Sequence, residues 1–147
     1  MRMRGQALVF FALVIPIVLI PVAAYAVDAA VVATGQAHLE EVAALAAEQG
    51  AQQIDAVVLR SGGGLMVDSV KAKNVVAAAV GAAEPQASVE SVAVTATQVT
   101  VILKEQIVVP INVLSRAGVT VRAQASARLV AGYDSPSSFL PFPSKTF

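Results

Sequence analysis

Cysteine is absent from this chain of 147 residues, which excludes a disulfide framework and any thiolate metal site. Stability outside a reducing compartment must then come from packing or assembly. Tryptophan is absent too, and His38 is the only histidine. A His-rich metal centre and a helical pair of His ligands are therefore excluded, and no GxSxG nucleophile elbow occurs. Glu40 and Glu41 are adjacent, so on a helix they point about 100° apart and do not converge as an acid and base pair. Ser61 to Gly64 (SGGG) lacks the Lys-Ser/Thr pair of a phosphate loop and reads as a flexible turn. With ten basic against ten acidic residues, five Phe and two Tyr, there is no dense basic patch interleaved with aromatics for nucleic acid. The expectation is a non-catalytic protein with no cofactor, no metal and no small-molecule substrate.

What the chain does have is a run without one formal charge, Ala7 to Val27, bracketed by Arg2 and Arg4 before it and Asp28 after it. At about 1.5 Å per residue such a helix spans roughly 30 Å, the hydrocarbon thickness of a bilayer. Pro16 and Pro21 would break a water-exposed helix, but apolar surroundings tolerate the carbonyls they free at Ala12 and Ile17. The next basic residue after the run is Arg60. Retention of Lys and Arg on the cytoplasmic side therefore places the N-terminus inside and the rest outside. A second reading of the same stretch is a secretory signal peptide cleaved after Ala26, at the small-x-small site formed by Ala24 and Ala26.

The expected organisation is a basic leader at 1–5, a transmembrane helix at 6–27, an extracytoplasmic helical rod at 28–60, a small α+β domain at 61–133 and a Pro/Ser-rich tail at 134–147. In the rod, Leu39, Val42, Ala43, Ala46, Gly50, Ile54 and Val57 fall at three- and four-residue steps, one apolar stripe on a polar helix. Continuous from Gln6 to about Val58, the helix would be roughly 80 Å long. Gly35 and Gly50 weaken it by about 1 kcal/mol each relative to Ala, while small residues on the stripe allow close approach of another helix. His38 reads as a solvated residue on the polar face. Charge is segregated: 28–59 carries five acidic residues and no Lys or Arg, whereas 60–147 carries eight basic and five acidic.

Asp68 or Ser69 can cap a helix whose face is Ala72, Val75, Val76, Ala79, Val80 and Ala83, stopped by Pro85. That helix is expected to lie on a sheet. Alternation at Val92–Thr97 and Val99–Lys104 predicts a hairpin turning near Thr97 and Gln98, and Val119 to Leu129 predicts a half-buried antiparallel strand. Ile107–Val109 would extend the sheet, and Pro110–Ala117 suits a short helix closed by Gly118.

Taken in order, Arg4-Gly5, QALVFFALVIPIVLI, AVDAA and LEEVAALAAEQGA (Leu39 to Ala51) resemble the TadE/TadG-like proteins of the tight-adherence (Flp) pilus system. VTVILKEQIVVPI and GVTVRAQASARLVAG are similar to that family's strand pairs. The resemblance implies a pilin-like fold, a long N-terminal transmembrane helix continuing as a rod into a small antiparallel sheet covered by a helix. It implies a single-pass protein of the bacterial inner membrane, or of the pilus or cell surface. Its partners would be the bilayer and other pilin or pilus-assembly subunits, with helix packing through Phe10, Phe11, Leu39, Val42, Ala46 and Gly50. It also implies prepilin processing between Gly5 and Gln6. Pilin-like members often carry Glu at the fifth residue after the glycine, where this chain has Phe10. Beside this stands a binding module of another class, secreted or anchored and released after Ala26.

Overall fold

In the computed structural model, residues 3–111 and 118–129 are described, with side chains from residue 9 onward. Apolar residues from Ala7 to Val27, followed by an Ala-rich segment free of further proline, sustain one helix: α1 runs Met3–Ala51 with Pro16 and Pro21 inside it. At 1.5 Å per residue it is roughly 73 Å long.

The helix stops earlier than its spacing predicts. Ile54 and Val57 continue the three- and four-residue steps, yet backbone pairing with a later segment wins over helical hydrogen bonding. Ile54 bridges Val67, the Asp55 N–H donates to the Met66 carbonyl at 2.9 Å, and the Asp68 N–H donates to the Gln53 carbonyl at 2.7 Å. Asp55 then caps a separate short helix, α2 (Ala56–Arg60), accepting from the Val57 and Val58 N–H groups. Ile54 and Val57 are exposed as a result. The glycines of SGGG form the expected turn, with Gly62 and Gly64 at φ of 80° and 83°.

Asp68 caps α3 (Ser69–Ala83), accepting from the Val70 and Lys71 N–H groups. Its Lys71 neighbour, through the backbone hydrogen bond and then a side-chain one, holds the Asp68 carboxyl below the usual carboxylate range. Ala72, Val76 and Val80 are the buried residues of α3. Three strands follow, β1 (Ser88–Val94), β2 (Gln98–Ile107) and β3 (Val119–Arg128), forming an antiparallel sheet of order β1-β2-β3. In register, Val101 faces Val92 and Ala125, and Leu103 faces Val89 and Ala123; a bulge lies between Val89 and Ser91. The β1–β2 turn is locked by Thr95, whose N–H donates to the Gln98 carbonyl at 2.8 Å. Strand β2 ends at Ile107, so Val108 and Val109 do not extend the sheet. The proposed helix at 110–117 falls mainly, and the tail at 134–147 wholly, outside the described residues.

Alternation puts Val99, Val101, Leu103, Val121 and Ala123 on one face of the sheet, all buried. What covers that face differs from expectation. The upper part of α1 lies directly against β2 and β3, while α3 packs mainly on α1 and meets the sheet chiefly at β1. The stretch expected as a helical rod, whose apolar stripe needs a cover, is thus the spine of the α+β unit.

Candidate functional site

Below the folded unit, α1 is uncovered. Val9, Phe10, Leu13, Ile17, Leu19 and Ile20 are each more than half exposed, and the helix is long and apolar enough to cross a membrane. Phe10 and Phe11 meet edge to face, with ring centroids 6.1 Å apart, and both point away from the rest of the chain. Gly5 and Gln6 lie in the first turns of α1. Ala24 is half-buried and Ala26 exposed, within the same unbroken helix.

Leu39, Val42, Ala46 and Gly50 are brought together as one buried stripe. It faces the chain's own sheet and α3: a Cβ on Gly50 would come within 2.8 Å of Val76 Cγ2 and 3.3 Å of Val99 Cγ1. Gly50 therefore sits where α1, α3 and β2 meet, and its missing side chain sets their separation. Gly35 lies against Ile107 lower down, where a Cβ would meet the movable end of that side chain.

Between the uncovered and the covered parts stands Asp28, fully buried. Its Oδ1 accepts the Ile111 N–H at 3.0 Å, across 83 positions of sequence. A buried carboxylate is tolerable when backbone donors satisfy it, so this residue ties the loop after β2 to the helix where the apolar run ends. From the sequence it read only as an acidic residue at the exit of the span.

Beside it opens a groove of about 760 Å³ between α1 and the end of β2, lined by Val27, Thr34, His38, Glu84, Glu105 and Val108 among others. His38 Nε2 lies 3.4 Å from Glu84 Oε2, with the imidazole half exposed, so the residue read as solvated has a partner. Burial, then the like charge of Glu84, raises the pKa of the Glu105 carboxyl, with His38 acting against them. Sequence reasoning missed this cluster because its three members come from α1, the end of α3 and β2, with no shared motif. Among the described residues no group of three His, Asp or Glu side chains is arranged to hold a metal. The outer face of the sheet is polar, with Arg122 and Glu90 paired at 3.0 Å.

Compared with known protein families, curated proteins and solved structures, the chain matches none.

Proposed function

We propose that the chain is a non-catalytic, single-pass, pilin-like subunit acting in assembly of a tight-adherence type IV pilus, with its N-terminus in the cytoplasm and its α+β unit outside. The observation that carries this reading is α1 itself. One helix supplies both an apolar shaft with no cover of its own and the spine of a small outer domain. A shaft of this kind needs lipid or other apolar helices around it, because its backbone is internally satisfied while its side chains are not solvated well by water. The order of Arg4-Gly5, the apolar run, Asp28 and the Ala-rich stripe adds the resemblance to TadE/TadG-like proteins. The positive flank of Arg2 and Arg4 adds the orientation.

Phe10 refines the role. A carboxylate at that position in pilins is tolerable in an apolar bundle only when it meets a positive group, such as the free N-terminus of a neighbour. Phe10 offers lateral apolar contact without that register, which favours a minor or initiating subunit over the repeating one.

Two measurements test the reading. An alkaline-phosphatase fusion after Gly132 is expected to be active in a bacterial host and one after Arg4 inactive; the reverse pattern overturns the topology. Mass spectrometry of sheared filaments is expected to find the chain rare beside the major pilin, with a mature N-terminus at Gln6. Near-equimolar abundance overturns the minor role, and a mature N-terminus at Val27 favours the released binding module.

A further inference from the structure

The loop that follows β2 is built in an unusual sense: its apolar side chains alternate between inside and outside. Ile107 and Val109 are buried at 9% and 1% exposure, whereas Val108 is 77% and Ile111 47% exposed, with Pro110 between them also exposed. Val109 is thus turned inward while Val108, Pro110 and Ile111 are exposed. No charged residue occurs in the sequence from Gln106 to Ser115. Three exposed apolar residues in a span of four, in a stretch without charge, mark a contact.

Its height along α1 identifies the contact. The Ile111 N–H donates to Asp28, the residue immediately after the apolar run, and Val108 shares a groove wall with Val27, the last residue of that run. Tyr25, 54% exposed, stands one turn below, the level at which a bilayer favours an aromatic with a polar tip. Asp28 itself is turned into the protein.

We propose that loop 108–111 is a second membrane contact, seating Val108, Pro110 and Ile111 in the headgroup and upper acyl region of the outer leaflet beside α1. The proposal rests on the reading that α1 spans the bilayer. It assigns the loop a function that the span alone does not supply: two contacts at different points fix the tilt and rotation of the outer domain, whereas a single helix leaves both free. An apolar patch adds to membrane affinity in proportion to the area it buries, and here the entropic cost of bringing it to the surface is already met by the span.

The absence of cysteine makes the test direct. Single-cysteine variants of the full chain, Val108→Cys, Ile111→Cys, Leu19→Cys in the shaft and Thr97→Cys at the β1–β2 turn, are labelled with an environment-sensitive fluorophore. They are then reconstituted in vesicles of phosphatidylethanolamine and phosphatidylglycerol containing spin-labelled lipid. The expected result is a blue shift and quenching at positions 108 and 111 by a spin label high on the acyl chain, quenching at 19 by one deep in the chain, and neither effect at 97. The unlabelled cysteines should react with a membrane-impermeant maleimide fast at 97 and slowly at 108 and 111, which removes the fluorophore as the cause. Quenching at 19 but not at 108 or 111 overturns the loop contact while leaving the span intact. A blue shift at 108 and 111 without lipid quenching overturns it in favour of a protein neighbour, and no quenching at 19 overturns the span and the loop contact together.

Discussion

The lower stretch of α1, residues 9–27, and the upper stretch, residues 39–51, draw on similar apolar residues but bury them differently. Above, Leu39, Val42, Ala43, Ala46 and Ala47 form a single buried stripe, and Leu45 on the opposite side is 48% exposed. Below, a dozen large apolar side chains point in all directions and none is buried by the chain. A narrow stripe is what a helix needs when its own domain covers one side, and an apolar surface all round is what it needs when the cover comes from every side. Leaving those dozen side chains half exposed in water would forgo on the order of 10–20 kcal/mol. That rivals the whole net stability of a small domain, about 5–15 kcal/mol, so the lower stretch suits an apolar surrounding that the upper one does not need.

The largest expected effect tests this contrast with one substitution made twice. Val42→Lys puts an unpaired charge into the buried stripe and is expected to cost the outer domain about 3–5 kcal/mol. Val18→Lys in the shaft is expected to leave the domain's melting in detergent within about 0.5 kcal/mol of the unmodified chain. It should instead impair membrane insertion, by about 3 kcal/mol at the centre of a span. Melting followed by circular dichroism reads the first and membrane fractionation the second. Equal losses of domain stability would show that the shaft packs on the domain after all.

Glycines sharpen the contrast at a finer scale. Gly50 lies on the buried stripe against Val76 and Val99, whereas a Cβ at Gly81 in α3 would meet nothing within 4 Å. Alanine improves helix propensity by about 1 kcal/mol at either position. At Gly50 that gain is opposed by overpacking of about 1–3 kcal/mol against stiff β-branched neighbours. Gly50→Ala is therefore expected to lower stability by about 1 kcal/mol and Gly81→Ala to raise it by about the same. Chemical denaturation of both variants decides it, and stabilisation by Gly50→Ala would mean that α3 and β2 approach α1 less closely than described.

Much of this architecture was legible because it is local. The apolar run, the Asp68 cap and the alternation of β2 and β3 each depend on neighbours in sequence, and each element stands where its pattern put it. The failures share a cause, a distant backbone group that outcompetes a local preference. Ile54 and Val57 keep the helical spacing, but hydrogen bonds from and to 53–55 are claimed by Met66, Val67 and Asp68. The pattern of the helix at 69–83 gives it an apolar face to bury but does not reveal whether that face meets the sheet or the Ala-rich stripe at 39–51, on which it mainly packs. Asp28 signalled a membrane boundary, yet its partner Ile111 lies far along the chain.

The smallest expected effect lies in the groove at the junction of the two stretches, where cover by the chain's own domain begins. Glu105 is partly buried there, close enough to Glu84 to feel its charge, with His38 as the opposing influence. A carboxyl whose pKa is raised by folding binds its proton more tightly in the folded state. Its contribution to stability is therefore fully present below the unfolded pKa and lost as pH rises through the folded one. At neutral pH the charged Glu105 accordingly works against the fold. Glu105→Gln is expected to stabilise the outer domain there by about 0.5 kcal/mol, a small figure because water screens a groove this open. As pH falls through the carboxylate range the two proteins should converge, since the native side chain then becomes neutral as well. Glu90→Gln is the control: its carboxylate is paired with Arg122 on the outer face, so the same change should bring no gain at neutral pH. A Glu105→Gln gain that persists or grows on acidification would show that the groove responds to shape and not to charge, and the junction would then be ordinary packing between the two stretches of α1.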